Sequence, residues 1–169
     1  LIKQPCYRVV ANIPYYITSK LIRHLLESGK PPDRIILTVQ KEVAMRICAQ
    51  PGKMSLLSLA VQVYGNPQIF GKIPAGAFYP VPKVDSAIVR VDLYQQPVIQ
   101  RSRLDIFFRL AKAAFQQKRK ALRNSLGAGL HMTGVQAAEL IETADIDPLR
   151  RPQTLSLDEW DKLVEAFES

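Results

Sequence analysis

A short apolar segment that stops abruptly at a proline most constrains how this chain folds. The segment Val9-Val10-Ala11 passes directly into Asn12-Ile13-Pro14-Tyr15-Tyr16. An apolar run bounded by turn residues is typical of a buried strand. Pro14 cannot donate to a β-ladder, and it biases Ile13 toward an extended conformation. The pattern therefore predicts a buried strand over residues 7–12, followed by a turn and a helix.

The groups at the end of this strand suit recognition of an exocyclic amine on a planar base. The Asn12 side-chain oxygen can accept one N–H group, and the Ile13 carbonyl can accept the other. The Tyr15 ring can stack on the base, a contact worth roughly 1–3 kcal/mol. The same spacing also fits an ordinary connection from strand to helix, so the motif alone leaves both interpretations open.

Composition narrows the class of partner and excludes several kinds of site. The net charge of +8 indicates a polyanionic partner. Cys6 and Cys48 form no CxxC pair, which favours buried, reduced thiols in a cytoplasmic protein. His24 and His131 are isolated, so we expect no metal site. No apolar run approaches roughly 18 residues, and no targeting segment is visible, so we expect no membrane partner.

Strand and helix patterns alternate over residues 1–97, which predicts an α/β domain. The continuous apolar run over 35–39 is typical of a central parallel strand that is covered on both faces. Further strands are predicted over 69–73 and 86–93, and helices over 18–28, 40–49 and 54–64, the first capped by Thr18 or Ser19.

The pattern changes near Gln95-Gln96-Pro97. Beyond this point only helical periodicity is visible, over residues 104–115, 119–126, 135–143 and 157–167. We therefore expect a second, all-helical domain over residues 98–169.

A proline-stiffened loop forms the second motif, Ala77-Phe78-Tyr79-Pro80-Val81-Pro82-Lys83-Val84-Asp85-Ser86. Alone it fits a rigid connector with a core phenylalanine, but beside the first motif it predicts a clamp, with Tyr15 and Phe78 on either side of a base. Lys83 fits either a phosphate contact or a solvated position. Asp85 is expected to cap or to pair with a neighbouring base rather than to do chemistry.

A basic segment forms the third motif. Between Arg101 and Arg123 the sequence has eight Lys or Arg residues and one Asp. Such a run in a basic protein favours a phosphate-contact surface over an ordinary solvated helix face. Its expected contact residues are Lys118, Arg119, Lys120 and Arg123.

Four motifs in order closely resemble the ribosomal RNA adenine dimethyltransferases, the KsgA family. They are Asn12-Ile13-Pro14-Tyr15, Gln40-Lys41-Glu42-Val43, Phe78-x-Pro80-x-Pro82-Lys83-Val84-Asp85-Ser86 and Gln117-Lys118-Arg119-Lys120-x-x-Arg123-Asn124-Ser125-Leu126. The resemblance covers essentially the whole chain. Ile13 replaces the commoner Leu, which matters little because its backbone carbonyl is the working group.

The resemblance implies the C-terminal half of a Rossmann-like class I methyltransferase sheet, followed by a small RNA-binding helical domain. It implies transfer of two methyl groups from S-adenosylmethionine (SAM) to N6 of adjacent adenines in small-subunit rRNA during ribosome biogenesis. The implied catalytic residues are Asn12, Ile13, Pro14, Tyr15 and Phe78, of which Asn12 and Pro14 also touch SAM. Lys83 and the four basic residues above are implied to contact RNA.

The sequence departs from the family in one respect. Family members have an upstream Gly-rich loop and acidic residues that bind SAM, and this sequence lacks them. We therefore expect a C-terminal portion that is inactive in isolation, whose open sheet edge pairs with a missing N-terminal segment or another copy. Three alternatives stay open: a non-catalytic ribosome-assembly module, an erythromycin-resistance-type methylase of large-subunit rRNA, and a DNA adenine methyltransferase.

Overall fold

The computed structural model describes residues 7–169, which fall into two compact units. The first comprises the residues up to Cys48 together with Ala60–Gln95, and the second comprises Ala49–Leu59 and Gln96–Ser169. Ala49–Leu59 joins the second unit through hydrogen bonds from the Gly52 and Met54 N–H groups to the Gln153 carbonyl, at 2.8 and 3.2 Å. This return of an internal segment is not visible in the linear sequence.

The first unit is built on a mixed four-stranded sheet with the order β1-β2-β4-β3. The strands are β1 (Arg8–Asn12), β2 (Arg34–Gln40), β3 (Gly65–Ile73) and β4 (Ser86–Leu93). β1 and β2 are parallel, whereas β4 is antiparallel to both β2 and β3. The predicted α/β class is confirmed.

Two strand predictions need correction. β1 is not buried: it is the outermost strand of the sheet, and Val10 on it is 73% exposed. β2 is central, but it is parallel only to β1, and only alternate residues are buried, namely Ile35, Leu37 and Val39. The continuous apolar run reflects one fully packed face and one half-exposed face.

Three short helices contribute residues to this unit. They are α1 (Thr18–Leu26), α2 (Lys41–Ile47) and the last three residues of α3 (Leu56–Gln62), whose first four residues belong to the second unit. Neither Thr18 nor Ser19 caps α1 as predicted, because Ile17 occupies the N-cap position and Thr18 is buried in the first turn. α2 buries Ala44 and Ile47 and packs against β2, β3 and β4. The predicted thiol burial is only partial, since Cys48 is half-buried; Cys6 lies outside the described residues.

The second unit is a helical cluster of α4 (Leu104–Gln116), α5 (Leu122–Leu130), α6 (Gly134–Thr143) and α7 (Leu157–Glu168). The described part of this unit has no strand, as predicted. Trp160 and Phe107 are fully buried and pack edge to face, with ring centroids 6.1 Å apart. α5 approaches α4 so closely that a Cβ on Gly129 would lie 2.6 Å from the Ala113 Cα. No helix over residues 7–169 is long and apolar enough to cross a membrane.

Candidate active site

Four segments of the first unit meet at one end of the sheet. Asn12 pairs with Thr38 at the carboxyl ends of the parallel strands β1 and β2. Gln40, the last residue of β2, pairs with Ser86, the first residue of the antiparallel β4, and Ser86 also pairs with Ile73 at the end of β3. The turn after Asn12 and the β3–β4 loop therefore leave the sheet at the same end, where open α/β sheets bind their ligands.

A side-chain hydrogen bond joins the first two sequence motifs. The Tyr15 hydroxyl lies 2.5 Å from the Ser86 Oγ, across 71 residues of chain. Ser86 is fully buried, whereas Tyr15 is half-buried. The bond fixes the Tyr15 ring at the sheet end and leaves part of that ring open to solvent. Sequence reasoning did not single out Ser86 as a partner of Tyr15.

The hydrogen-bond acceptors expected at this site are open. The Asn12 side chain is exposed, and within residues 7–169 nothing forms a hydrogen bond to its amide. The Pro14 carbonyl accepts the Ile17 N–H at 3.2 Å, which closes the turn, while the Ile13 carbonyl receives no donor within those residues. The extended conformation of Pro14, with ψ 134°, directs the chain from the strand into a short 3₁₀ turn over Tyr15–Ile17.

The loop that carries Phe78 is held at both ends. Its 3₁₀ turn, Ala75–Ala77, ends at Phe78, which is half-buried and extended. The Asp85 carboxylate accepts the Ala75 N–H at 3.1 Å, and the Asp85 carbonyl accepts the Lys41 N–H at 2.9 Å. These bonds tie the loop to its own start and to α2, so Asp85 stabilises the loop. Lys83 is exposed on the same loop.

Three of the four predicted basic contact residues of the second unit lie on a turn rather than on a helix. Lys118, Arg119 and Lys120 are exposed in the connection between α4 and α5, and α5 begins only at Leu122 rather than at the predicted residue 119. The helix starts there because the Leu122 N–H bonds to the Arg150 carbonyl at 2.7 Å. Arg123 is exposed in the first turn of α5.

A fifth exposed cation lies on a distant loop whose backbone bonds to the start of α5. The loop that accepts the first N–H groups of α5 includes Pro148 and Arg150, and it continues into the exposed Arg151. Arg150 itself is occupied by an ion pair with Glu159, which lowers the pKa of that carboxyl. We call Lys118, Arg119, Lys120, Arg123 and Arg151 the basic surface. Arg151 was missed because the Arg150-Arg151 pair lies far along the sequence from the basic run that ends at Arg123.

The described residues offer little to a metal ion. Over residues 7–169, no three His, Cys, Asp or Glu side chains come together in a group that could hold one.

The family model for ribosomal RNA adenine dimethylase matches residues 2–165. The chain belongs to this family. It is 46% identical over 157 residues to the ribosomal RNA small subunit methyltransferase A of Dehalococcoides mccartyi strain 195, covering 93% of this chain and 54% of that protein. It is 42% identical over 171 residues to the protein of the same name from Syntrophotalea carbinolica, covering 99% of this chain and 64% of that protein. The resemblance found in the sequence is thus confirmed.

Two solved structures share the fold. A dimethyladenosine transferase from Plasmodium falciparum has a TM-score of 0.82 at 22% identity, covering 99% of this chain and 69% of that one. The 23S rRNA methyltransferase ErmE has a TM-score of 0.72 at 23% identity, covering 99% of this chain and 68% of that one. These likenesses confirm the predicted α/β fold. The chain spans about half the length of several curated relatives that it matches.

Proposed function

We propose that the full-length protein carrying this chain transfers methyl groups from SAM to N6 of adjacent adenines in small-subunit rRNA. The Tyr15–Ser86 hydrogen bond carries the proposal, since it brings the strand-end motif and the Phe78 loop to the same end of the sheet. Membership of the adenine dimethylase family supplies the reaction class. Small-subunit rRNA is favoured over large-subunit rRNA, because the relatives from Dehalococcoides mccartyi and Syntrophotalea carbinolica are named small subunit methyltransferases.

The SAM assignment is supported by the groups at the end of β1. Asn12 offers an exposed amide at the carboxyl end of a parallel strand pair, which is where Rossmann-like sheets bind their ligands. Asn12 and Pro14 are the residues of this chain that would hold the cofactor. When bound, SAM would supply an electrophilic methyl group on a sulfonium. The nitrogen would gain this methyl as the sulfur–methyl bond breaks, and the resulting cationic amine is acidic enough to lose its proton to water, so no strong base is required of the protein.

The main task of the protein in this reaction would be to orient the exocyclic nitrogen of the adenine. The exocyclic nitrogen of adenine is a poor nucleophile because its lone pair is delocalised into the ring. Acceptance of its two N–H groups by the Asn12 amide oxygen and the Ile13 carbonyl would orient it and favour a pyramidal nitrogen. Positioning of this kind can remove several kcal/mol from a barrier, up to about 7–11 kcal/mol for well-oriented reactions.

The target adenine would be held outside its stack. Enzymes that modify a base extrude it into a pocket and hold it by stacking and hydrogen bonds. Tyr15, fixed by Ser86, and Phe78, at the end of the 3₁₀ turn within the anchored loop, would supply the two stacking faces. We propose that Asn12, Ile13, Pro14, Tyr15 and Phe78 form this catalytic group.

Basic side chains would bind the RNA through its phosphate backbone. The basic surface of the second unit carries five exposed cations, and Lys83 adds one on the Phe78 loop. We propose that residues 98–169 are an RNA-binding domain and that 1–97 belong to the methyltransferase domain. Replacement of Lys118, Arg119 and Lys120 by Gln should weaken ribosome binding and lower its salt dependence by about 0.7–0.9 per lost phosphate contact. An unchanged salt slope would refute the surface assignment.

The half-exposed edge at β1 is expected to be covered in the working protein. Val10 on this outermost strand is 73% exposed, and open apolar edges promote pairing with another chain. We propose that this edge strand is covered by an upstream segment or by a second copy of the chain. We further propose that the 169-residue chain alone is inactive. The proposed location of the working protein is the cytoplasm. Light scattering of the full-length protein and of this chain separates the two forms of cover.

The testing experiment compares three acceptors. Full-length protein and SAM are incubated with unmethylated small subunits, with large subunits and with duplex DNA, and N6,N6-dimethyladenine is counted by mass spectrometry. We expect product in small subunits alone. A preference for large subunits would favour the erythromycin-resistance type, a preference for DNA would favour a DNA methyltransferase, and binding without product would favour an assembly module.

A further inference from the structure

The motif Gln40-Lys41-Glu42-Val43 has no part in the proposed chemistry, yet two of its residues, Lys41 and Glu42, line one wall of a pocket. The pocket has a volume of about 490 Å³ and lies between the start of α2 and the loop that carries Phe78. That volume falls within the range of sites for small organic molecules, about 300–1,000 Å³. The Lys41 N–H bonds to the Asp85 carbonyl at 2.9 Å, so the two walls are joined by backbone and are independent of side-chain rotamers.

The pocket combines an apolar lining with two cations. Met45, Ala75 and Val84 supply the apolar part. Met45 is 60% exposed and Val84 is 44% exposed, so both offer open surface to a ligand. Lys41 and Lys83 come from opposite walls. An apolar surface beside positive charge suits a nucleotide, which has a planar base and an anionic phosphate.

The charge balance limits the ligand to a single phosphate. Glu42 and Asp85 also line the pocket, so its two positive charges are matched by two negative ones. One Asp85 oxygen is occupied by the Ala75 N–H, and the other lies 4.0 Å from the Lys41 Nζ, which is the limit of an ion pair. Lys41 is therefore only loosely held, while a multiply charged pyrophosphate would meet two carboxylates.

We propose that this pocket binds one nucleotide of the RNA strand next to the target adenine. Its base would lie on Met45, Ala75 and Val84, and its phosphate would lie between Lys41 and Lys83. The inference rests on the proposed function, because Asp85 and α2 hold the same loop that presents Phe78 to the target adenine. An occupied pocket would hold the strand on one side of the extruded base and set which neighbour of the target the enzyme accepts.

The test is a double-mutant cycle in the full-length protein. Lys41→Gln, Lys83→Gln and the double variant are compared in binding to the small-subunit rRNA hairpin by fluorescence anisotropy over a range of salt concentrations. Because both lysines hold one phosphate, each single variant should lower the salt slope by about 0.7, and the double variant by no more. The double variant should bind roughly tenfold more weakly at low salt.

Two further variants control the interpretation. Met45→Ala should weaken binding roughly fivefold with no change in salt slope, because losing an apolar contact releases no counterion. Lys30→Gln, an exposed lysine in the α1–β2 connection at the other end of β2, should match wild type.

The outcomes separate this inference from the proposed function. If wild type binds and methylates small subunits while the double variant keeps its affinity and slope, the pocket does not bind a nucleotide. Additive slope changes in the double variant would also overturn a single shared phosphate. If wild type binds no hairpin, the proposed function fails, and this inference fails with it.

Discussion

The hydrogen bond between Tyr15 and Ser86 gives an asymmetric prediction that depends on burial. Tyr15→Phe removes one hydroxyl and leaves the Ser86 hydroxyl, on a fully buried residue, without its partner. An unsatisfied buried hydroxyl costs about 1–3 kcal/mol. Ser86→Ala leaves the Tyr15 hydroxyl on a half-buried residue that water can reach, so it should lose only the net bond, about 0.5–1.5 kcal/mol.

The double variant completes the cycle. Tyr15→Phe with Ser86→Ala removes both hydroxyls, so its stability should lie near that of Ser86→Ala and above that of Tyr15→Phe. Urea unfolding of the full-length protein, followed by circular dichroism, measures all four free energies. Methyl transfer should fall about tenfold in Tyr15→Phe, because the ring keeps its stacking face and loses its tether, a loss of about 1.4 kcal/mol.

Two results would refute this reasoning. Equal costs for the two single variants would mean that the Ser86 hydroxyl is satisfied elsewhere. Strict additivity in the double variant would mean that the two hydroxyls do not interact, and the meeting of the two motifs would lose its main support.

Three further predictions test the site and the fold. Asn12→Ala should lower transfer about a hundredfold, by analogy with loss of one oxyanion donor, while ribosome binding stays near wild type; equal loss of both would make Asn12 structural. Gly129→Ala should lower the free energy of unfolding by about 1–3 kcal/mol, since the new Cβ would lie 2.6 Å from Ala113. Gly134→Ala should change it little, because nothing lies within 4 Å of the new Cβ. Similar shifts in melting temperature for the two variants would contradict the close approach of α5 to α4. Glu159→Gln should lower the free energy of unfolding by about 1 kcal/mol near neutral pH, because the hydrogen bond from Arg150 lowers the Glu159 pKa. The stability that this ion pair contributes is present above the ordinary pKa of 4.5 and is lost as the pH falls below it. A difference in stability from wild type that persists into acid would contradict the ion-pair origin.

Local sequence signals located most elements because periodicity and turn residues act over short distances. The prediction for β4 agrees with the structure at both ends, since Asp85 and Tyr94 flank a segment in which apolar residues partly alternate with polar ones. The prediction for β1 located the strand but not its burial. Burial depends on which strands lie beside it, and no pattern within five residues contains that information.

The candidate site shows the same division. The residue types at Asn12 and Tyr15 predict what the site can bind, because amide and ring chemistry is local. The Tyr15–Ser86 bond spans 71 residues, and the addition of Arg151 to the basic surface depends on how the loop before α7 contacts α5. Such contacts arise from tertiary packing, so they require the folded chain.

The start of α5 shows how tertiary contacts override helical periodicity. Residues 119–121 carry helix-forming side chains and were predicted to be helical. In the structure Ala121 is extended, with ψ 151°, and the first helical N–H groups bond to carbonyls of a distant loop. Those bonds place the helix start at Leu122 and leave three cations on an exposed turn.

The most direct measurement of the central claim is the number of N6,N6-dimethyladenines formed per small subunit by the full-length protein and SAM. Mass spectrometry of digested rRNA gives this number without assuming a substrate position. We expect dimethyladenine at adjacent positions in unmethylated small subunits, and we expect the Asn12→Ala protein to form it about a hundredfold more slowly under the same conditions. Absence of product from wild type, or equal product from the Asn12→Ala protein, would contradict the central claim.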